Sequence, residues 1–297
     1  MIVNQETLAN IYVGLSAVFN AAFQQLAPPW YEKVAMTVPS TGRSIDYKFL
    51  IDFPGLREWI GDRVIKSLEG KNWEVINKDW EATIEVKEKD IEDDQLGVYN
   101  PVVAALTQEA RYHPNQLFAA LLSNATGLCY DGQYFFDIDH PVGEGQASNL
   151  DAGAGTAWYL LDVSRPIKPF IFQSRKPVEL VRLDQKQDHN RFMRGSYLYG
   201  VEARYEAAYG MWQLAYKSTQ TLNPTFYAAA RTAMMGLENA EGRKLGIRPN
   251  LLVVPASLEG AARELLNNQY IIGDPQVGGS KENVWRGTAD LLVVPEL

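Results

Sequence analysis

The sequence predicts an α+β fold, in which helices and strands are mixed without a regular βαβ order. Three observations support this class. Residues 4–26 carry apolar side chains at helical spacing, and several later segments are short runs rich in β-branched and aromatic residues. No repeat of fixed period connects these segments.

The first predicted helix spans residues 4–26. Asn4 is a suitable N-cap, Glu6 lies in the first turn, and Pro28-Pro29 ends the pattern. One face is apolar and carries Leu8, Ile11, Tyr12, Leu15, Val18, Phe19, Ala22, Phe23 and Leu26. An apolar face has to be covered. Two alternatives remain open: the helix docks on the chain's own core, or it is an arm laid on a neighbouring subunit.

An irregular hairpin is predicted between residues 34 and 88. Its strands are predicted at residues 34–38, 45–51, 73–76 and 82–88. Ser40-Thr41-Gly42 forms a turn, and the piece from Phe53 to Arg63 is dense in glycine, charge and aromatic residues. A two-stranded hairpin is only marginally stable in water. We therefore expect a partner subunit to hold it.

The second predicted helix spans residues 100–124. Asn100 is the expected N-cap with Pro101 at the first helical position, and Gly127 is the expected C-terminal cap. Pro114 predicts either a kinked helix or two nearly collinear helices. The later strands are predicted at 158–161, 167–172, 178–183, 197–209, 251–254 and 290–294, and the later helices at 225–239 and 257–267.

Composition excludes several classes of protein. Hydrophobic residues make up 46% of the chain, and 36 acidic against 28 basic residues give a net charge of −8, which argues against tight nucleic-acid binding. The single cysteine, Cys129, allows no intrachain disulfide. The start lacks a signal-peptide pattern, and no apolar stretch approaches the roughly 20 residues of a membrane span. We expect a soluble cytoplasmic protein without a membrane partner.

Two groups of residues could carry chemistry. Asp137, Asp139 and His140 have oxygen and imidazole ligands that could hold a metal, but a structural turn is favoured because Asp side chains bond local backbone N–H groups. Cys129 with His140 could suggest a thiol nucleophile, although a lone cysteine is more often a small buried residue. No nucleophile elbow, zinc-protease motif or P-loop occurs. The sequence therefore predicts no enzyme, no cofactor and no metal.

Several strings resemble the major head subunit (major capsid protein) family of Mu-like bacteriophages and prophages. They run in order over nearly the whole chain and comprise residues 30–41, Arg57-Glu58-Trp59-Ile60-Gly61-Asp62-Arg63, residues 77–81, residues 90–97, residues 131–141 and residues 246–255. Each match is modest alone, and together they are specific.

The resemblance implies a Hong Kong 97-type phage capsid fold. Its implied parts are an N-terminal arm (1–33), an extended loop with peripheral-domain strands (34–88), a peripheral domain with the spine helix (89–126), an axial domain lining the capsomer centre (127–276) and a return strand to the peripheral domain (277–297). The chain starts directly at the arm, which implies a separate scaffold or a processed start. It ends just after its last strand, which implies a shortened C-terminus.

The resemblance also implies a function. Copies would self-assemble as hexamers and pentamers into an icosahedral head shell that encloses double-stranded phage DNA without sequence-specific binding. Implied partners are a separate scaffolding protein, a portal and a decoration protein. The protein would belong to the virion capsid and assemble in the bacterial host cytoplasm. The alternatives are a cellular nanocompartment shell of the same fold and a metal-dependent enzyme at Asp137, Asp139 and His140.

Inter-subunit contacts are predicted at two places, the extended loop and the arm. The predicted contact residues are Arg57, Glu58, Trp59, Arg63, Leu8, Ile11, Phe19 and Phe23. Buried Trp and Arg side chains are favoured interface hot spots. Strands of about a dozen residues would reach roughly 40 Å, far enough to lie on the next subunit.

Overall fold

The computed structural model describes residues 3–47, 73–93, 96–185, 187–239, 241–272 and 280–297. The helices are α1 (Gln5–Gln25), α2 (Tyr31–Val34), α3 (Glu88–Glu92), α4 (Asn100–Ser123), α5 (His189–Arg194), α6 (Pro224–Gly236) and α7 (Glu259–Asn267). The strands are β1 (Ala35–Pro39), β2 (Ser44–Asp46), β3 (Glu74–Ile76), β4 (Lys78–Lys87), β5 (His140–Val142), β6 (Gly145–Ala147), β7 (Leu150–Asp151), β8 (Trp158–Leu161), β9 (Phe170–Leu183), β10 (Ser196–Tyr209), β11 (Ala215–Ser218), β12 (Leu251–Pro255), β13 (Tyr270–Ile272), β14 (Ser280–Glu282) and β15 (Asp290–Val294). Within these ranges no helix is long and apolar enough to cross a membrane.

The first sheet has the strand order β1-β9-β10-β4. β1 runs parallel to β9, and the other two pairs are antiparallel. Side chains alternate along β10, so that Tyr197, Tyr199 and Val201 share one buried face. α1 and α4 cover this face and enclose a hydrophobic cluster with it.

Helix α1 is docked on the chain's own sheet. Leu8, Ile11 and Phe19 are buried in the cluster between α1, α4 and the sheet, and Phe23 packs partly buried against it. Of the two alternatives, the described chain shows the helix docked on its own core, and the inter-subunit contact predicted for these four residues stays a prediction. The physical reason is that covering an apolar face from within the chain costs no association entropy.

Helix α4 runs through Pro114 as one helix, so the alternative of two separate helices is wrong. It ends at Ser123 with Asn124 as its C-cap, and Gly127 has a different role. A Cβ atom at Gly127 would lie 2.2 Å from the hydroxyl oxygen of Tyr209. Glycine is therefore required there because the tyrosine ring approaches the backbone closely.

The second sheet has the strand order β15-β12-β8-β11-β7. β8 and β12 are buried at every position. The last strand, β15, which is predicted to return to the peripheral domain, pairs in parallel with β12. A strand such as β12, buried on both faces, needs a hydrogen-bonding partner on each edge, and β8 and β15 supply them.

Two strands of the first sheet lie in the segment that is predicted to form the axial domain. The predicted axial segment 127–276 contains β9 and β10, yet both belong to the first sheet. They have 14 residues each, and β10 pairs with β4 along the whole length of β4. The strands pair because they are long and each has one buried face, which fixes the register between them. The division into capsid domains stays a prediction.

The base of the predicted extended loop is described, and its outer part is not. β2 pairs with β3, and the backbone N–H of Tyr47 donates to the carbonyl of Trp73 at 3.0 Å. Buried Asn77 donates from Nδ2 to the hydroxyl of Ser40 at 3.0 Å and to the carbonyl of Gly42 at 3.1 Å. The predicted contact residues Arg57, Glu58, Trp59 and Arg63 lie outside the described residues.

Leu8→Ala is expected to lower the free energy of unfolding of the monomer by about 2–5 kcal/mol, because it removes buried methyl groups and leaves a cavity. Val13→Ala on the same helix is the control, since Val13 is 65% exposed. Urea unfolding of the dilute protein measures both. Equal, small effects would show that α1 is not docked on its own subunit.

Candidate functional site

The segment singled out for metal chemistry is a hydrogen-bonded turn. Asp137 accepts at Oδ1 from the backbone N–H of Ile138, at 2.8 Å, and at Oδ2 from that of Tyr134, at 3.3 Å. This is the local bonding that the structural interpretation predicts. Among the described residues, no group of three His, Cys, Asp or Glu side chains is arranged to hold a metal.

His140 is the buried centre of this region. Its Nδ1 lies 2.7 Å from Oδ2 of Asp131, and its Nε2 lies 3.3 Å from Oδ1 of Asn149. The imidazole stacks on the Trp212 ring with centroids 3.9 Å apart. Both ring nitrogens and one ring face are thus occupied by the chain's own groups. The cluster organises the polypeptide and leaves no nitrogen of His140 directed at a ligand.

Cys129 is buried beside the carbonyl of Gly210, 4.0 Å from its Sγ. Burial raises the pKa of the Cys129 thiol far above its ordinary value, and the nearby charge of Asp131 adds to this effect. A thiol held protonated is a poor nucleophile. His140 is bonded to Asp131 and Asn149, so it is not placed as a base for Cys129.

The polar cluster holds a loop that carries exposed apolar side chains. Asn149 donates from Nδ2 to the carbonyl of Phe135 at 2.8 Å and accepts at Oδ1 from the N–H of Asp137 at 2.9 Å. Leu128, Tyr134 and Ile138 project from this loop into solvent. Apolar side chains on a fixed loop are typical of a surface that binds another protein.

A second exposed apolar surface lies at the tip of the β9–β10 hairpin. Phe192 is 85% exposed and Met193 is 63% exposed, both on α5. Arg191 anchors this helix by donating from Nη2 to Oε1 of Glu88 at 3.0 Å, and Gly195 ends it at a φ of 62°. Sequence reasoning missed this surface. The available signal was a Phe-Met pair inside a polar segment between two strands.

A pocket of about 200 Å³ opens between α4 and the first sheet. Its apolar lining includes Leu106 and Val201, and the small side chains Ala82, Ala110 and Ala203 leave the space free. The charged lining residues are Glu81, Glu109 and Glu202, all acidic.

His113 forms one end of this pocket. Its Nδ1 lies 2.8 Å from the hydroxyl oxygen of Tyr205, and its ring contacts the indole of Trp80 at a centroid distance of 4.3 Å. Burial lowers the pKa of His113, an effect that the carboxylates of Glu109 and Glu206 partly oppose. The neutral ring is therefore the form that the folded chain favours.

Comparison with known proteins identifies similar sequences over nearly the full length. Residues 8–297 match the family model of the Mu-like prophage major head subunit gpT. The chain is 38% identical over 284 residues to the major capsid protein of Escherichia phage Mu, covering 91% of this chain and 92% of that protein. It is 37% identical over 280 residues to the Mu-like prophage FluMu major head subunit of Haemophilus influenzae, covering 90% and 91%.

Solved structures of phage capsids share the fold. A chain of the procapsid of bacteriophage JBD30 superposes with a TM-score of 0.84 at 38% sequence identity, covering 99% of this chain and 100% of that chain. A chain of the JBD30 capsid gives a TM-score of 0.78 at 31% identity, covering 91% of each. The predicted α+β capsid fold is thereby confirmed.

His140→Ala is expected to lower the free energy of unfolding by about 1–3 kcal/mol, because it removes the hydrogen bonds that His140 makes with Asp131 and Asn149 inside the buried cluster. Asp139→Asn is the control on the same loop, since the Asp139 carboxylate has no hydrogen-bond partner among the described residues. Denaturant unfolding with and without a chelator measures both. A chelator effect that disappears in His140→Ala would instead indicate a metal site.

Stability is expected to fall as the pH drops below about 6.5, the ordinary histidine pKa. The unfolded chain then binds a proton that folded His113 resists, because the pKa of His113 is lowered in the folded state. Urea midpoints between pH 8 and 5 test this. The loss of stability at low pH should be smaller in His113→Asn than in the wild type. It should persist in the control His189→Gln, because His189 is exposed. Identical profiles in both variants would contradict the assignment.

Proposed function

The chain belongs to the family of Mu-like prophage major head subunits, gpT, and we propose that copies of it assemble into an icosahedral head shell around double-stranded phage DNA. The observation that supports this most strongly is the similarity to a JBD30 procapsid chain over 99% of this chain. As a member of this family the protein is a major capsid protein, a structural component of the phage head. The family match favours this function over a cellular nanocompartment shell.

We propose that the subunit has no catalytic activity. The residues that could carry chemistry are used to shape the polypeptide: His140 bonds Asp131 and Asn149, and Asp137 bonds its own turn. Burial keeps the thiol of Cys129 protonated. Polar clusters whose groups are all hydrogen-bonded make a subunit rigid. A rigid subunit assembles more favourably, because it loses less side-chain and loop entropy when it binds its neighbours.

Subunit contacts are proposed at surfaces that the isolated chain leaves exposed. The described candidates are the tip of the β9–β10 hairpin with Phe192 and the loop with Leu128, Tyr134 and Ile138. Arg57, Glu58, Trp59 and Arg63 remain predicted contacts. In a closed shell each copy offers every such surface once, and weak contacts repeated by symmetry sum to a stable assembly.

The partners beyond the shell are also proposals. A JBD30 capsid is described as decorated with minor capsid protein trimers, which supports a decoration partner here. A separate scaffolding protein and a portal are proposed from the family. The net charge of −8 suits a wall that contains DNA without gripping its phosphates. Assembly in the host cytoplasm is proposed with the virion as the final location.

Assembly is tested by expressing the full-length chain and examining the excluded fraction of a sizing column by negative-stain electron microscopy. We expect rings, tubes or closed shells in the excluded fraction. A subunit that does not assemble would elute as a folded monomer instead. A folded protein that stays monomeric alone and with the other head proteins of its phage would contradict the proposed function.

Trp59→Ala is expected to give a folded subunit that assembles poorly, because truncating an aromatic hot spot costs about 2 kcal/mol or more at each contact. Sedimentation measures the assembled fraction, and urea unfolding checks that the monomer keeps wild-type stability. Normal shells from Trp59→Ala would show that this loop residue contributes little to the contact.

A further inference from the structure

We propose that the hairpin tip of one copy docks into the pocket beneath α4 of a neighbouring copy, with Phe192 as the inserted side chain. The occupant is a second copy of this chain, so the inference rests on the proposed function. It adds to that function a specific pair of complementary surfaces, one knob and one pocket.

The tip has the properties of a knob. Phe192 and Met193 are 85% and 63% exposed, although burying such side chains would be favourable. The helix that carries them is held in place, because Arg191 donates to Glu88 from both Nε, at 3.2 Å, and Nη2, at 3.0 Å. An exposed aromatic side chain on an ordered tip can bind with little loss of conformational entropy.

The pocket has a matching size and lining. Its volume is about 200 Å³. An apolar protein cavity of about 150 Å³ accommodates benzene, so a phenylalanine ring fits this pocket. Leu106, Val201 and Ala203 provide apolar contacts, and the aromatic groups of Trp80 and Tyr205 are available for ring packing.

The charges of the two surfaces are complementary. Arg194 follows Met193 on the tip, is exposed, and has no acidic partner in the described part of the chain. Glu81 and Glu109 belong to the pocket lining, and neither has a cationic partner within the described ranges. No lysine or arginine is among the described residues that line the pocket. Insertion of Phe192 would bring Arg194 toward these carboxylates.

The contact has to form between copies. The tip precedes Ser196, the first residue of β10, and the pocket is lined by Val201, Glu202, Ala203 and Tyr205 of the same strand. At about 3.4 Å per residue, a strand separates the two surfaces by roughly 20–30 Å. Pairing of β10 with β9 as far as Leu198 and Leu183 prevents the tip from folding back. A knob and a pocket at different places on one chain give a heterologous contact that can repeat around a ring.

Mixing two single-cysteine variants tests the pairing directly. Phe192→Cys protein and Ala110→Cys protein are co-assembled into particles under mild oxidation, and disulfide-linked dimers are quantified on non-reducing gels. Native Cys129 is buried and does not compete. We expect the linked dimer in the mixture at a level at least about tenfold above the matched control, Val284→Cys with Ala110→Cys, where Val284 is 66% exposed.

Charge reversal gives a second, independent measurement. Arg194→Glu and Glu109→Arg should each reduce the assembled fraction about tenfold, and the double variant should recover most of the loss. The docking proposal would be overturned, and the proposed function left intact, if three results came together. The wild-type chain forms particles, the mixture of Phe192→Cys and Ala110→Cys proteins gives no more linked dimer than the control, and the double charge variant does not recover assembly. Failure of the wild-type chain to form particles, both alone and with the other head proteins of its phage, would overturn both.

Discussion

Two tyrosine hydroxyls at the C-terminal end of α4 connect the two sheets. Tyr209 of the first sheet donates to the carbonyl of Leu121 at 2.8 Å, and Tyr159 of the second sheet donates to the carbonyl of Leu122 at 2.9 Å. The last four carbonyls of a helix have no partner within it. Burial raises the pKa of Tyr159 to about 12 and that of Tyr209 as well, so both remain donors at neutral pH. The C-terminal end of α4 thus holds the two sheets in a fixed position relative to each other.

Aromatic packing surrounds this junction. Phe118 of α4 contacts Phe170 at 6.0 Å between ring centroids, and Phe135 stacks on Tyr209 at 4.5 Å. Gly127 leaves the space that the Tyr209 ring needs. Residues at the far ends of β9 and β10, such as Leu180 and Tyr197, pack in the separate cluster with α1 and α4. The exposed tip at α5 follows from that placement, because nothing else in the described chain covers it.

The buried polar residues described above hold the backbone in place and do not form a reactive site. His140, Asp131 and Asn149 form one hydrogen-bonded cluster, and Asn77 fixes the base of the predicted loop. A buried polar group without a partner is costly, so each such cluster specifies one arrangement of its backbone. For a subunit that repeats many times in a shell, a single arrangement matters because every copy has to present the same surfaces. The family assignment and this use of polar residues agree.

The sequence by itself determined the α+β class, the helices α1 and α4, the strand β8 and, through the motifs shared with Mu-like head subunits, the family. Hydrophobic periodicity indicates which face of a helix or strand is apolar, and the shared motifs indicate the family. Neither reports which partner covers that face. The tertiary structure alone decided that α1 docks on its own sheet, that β15 pairs with β12, and that β9 and β10 join β4. The α4 pocket and the exposed tip also emerged only there, because both depend on contacts between residues distant in sequence.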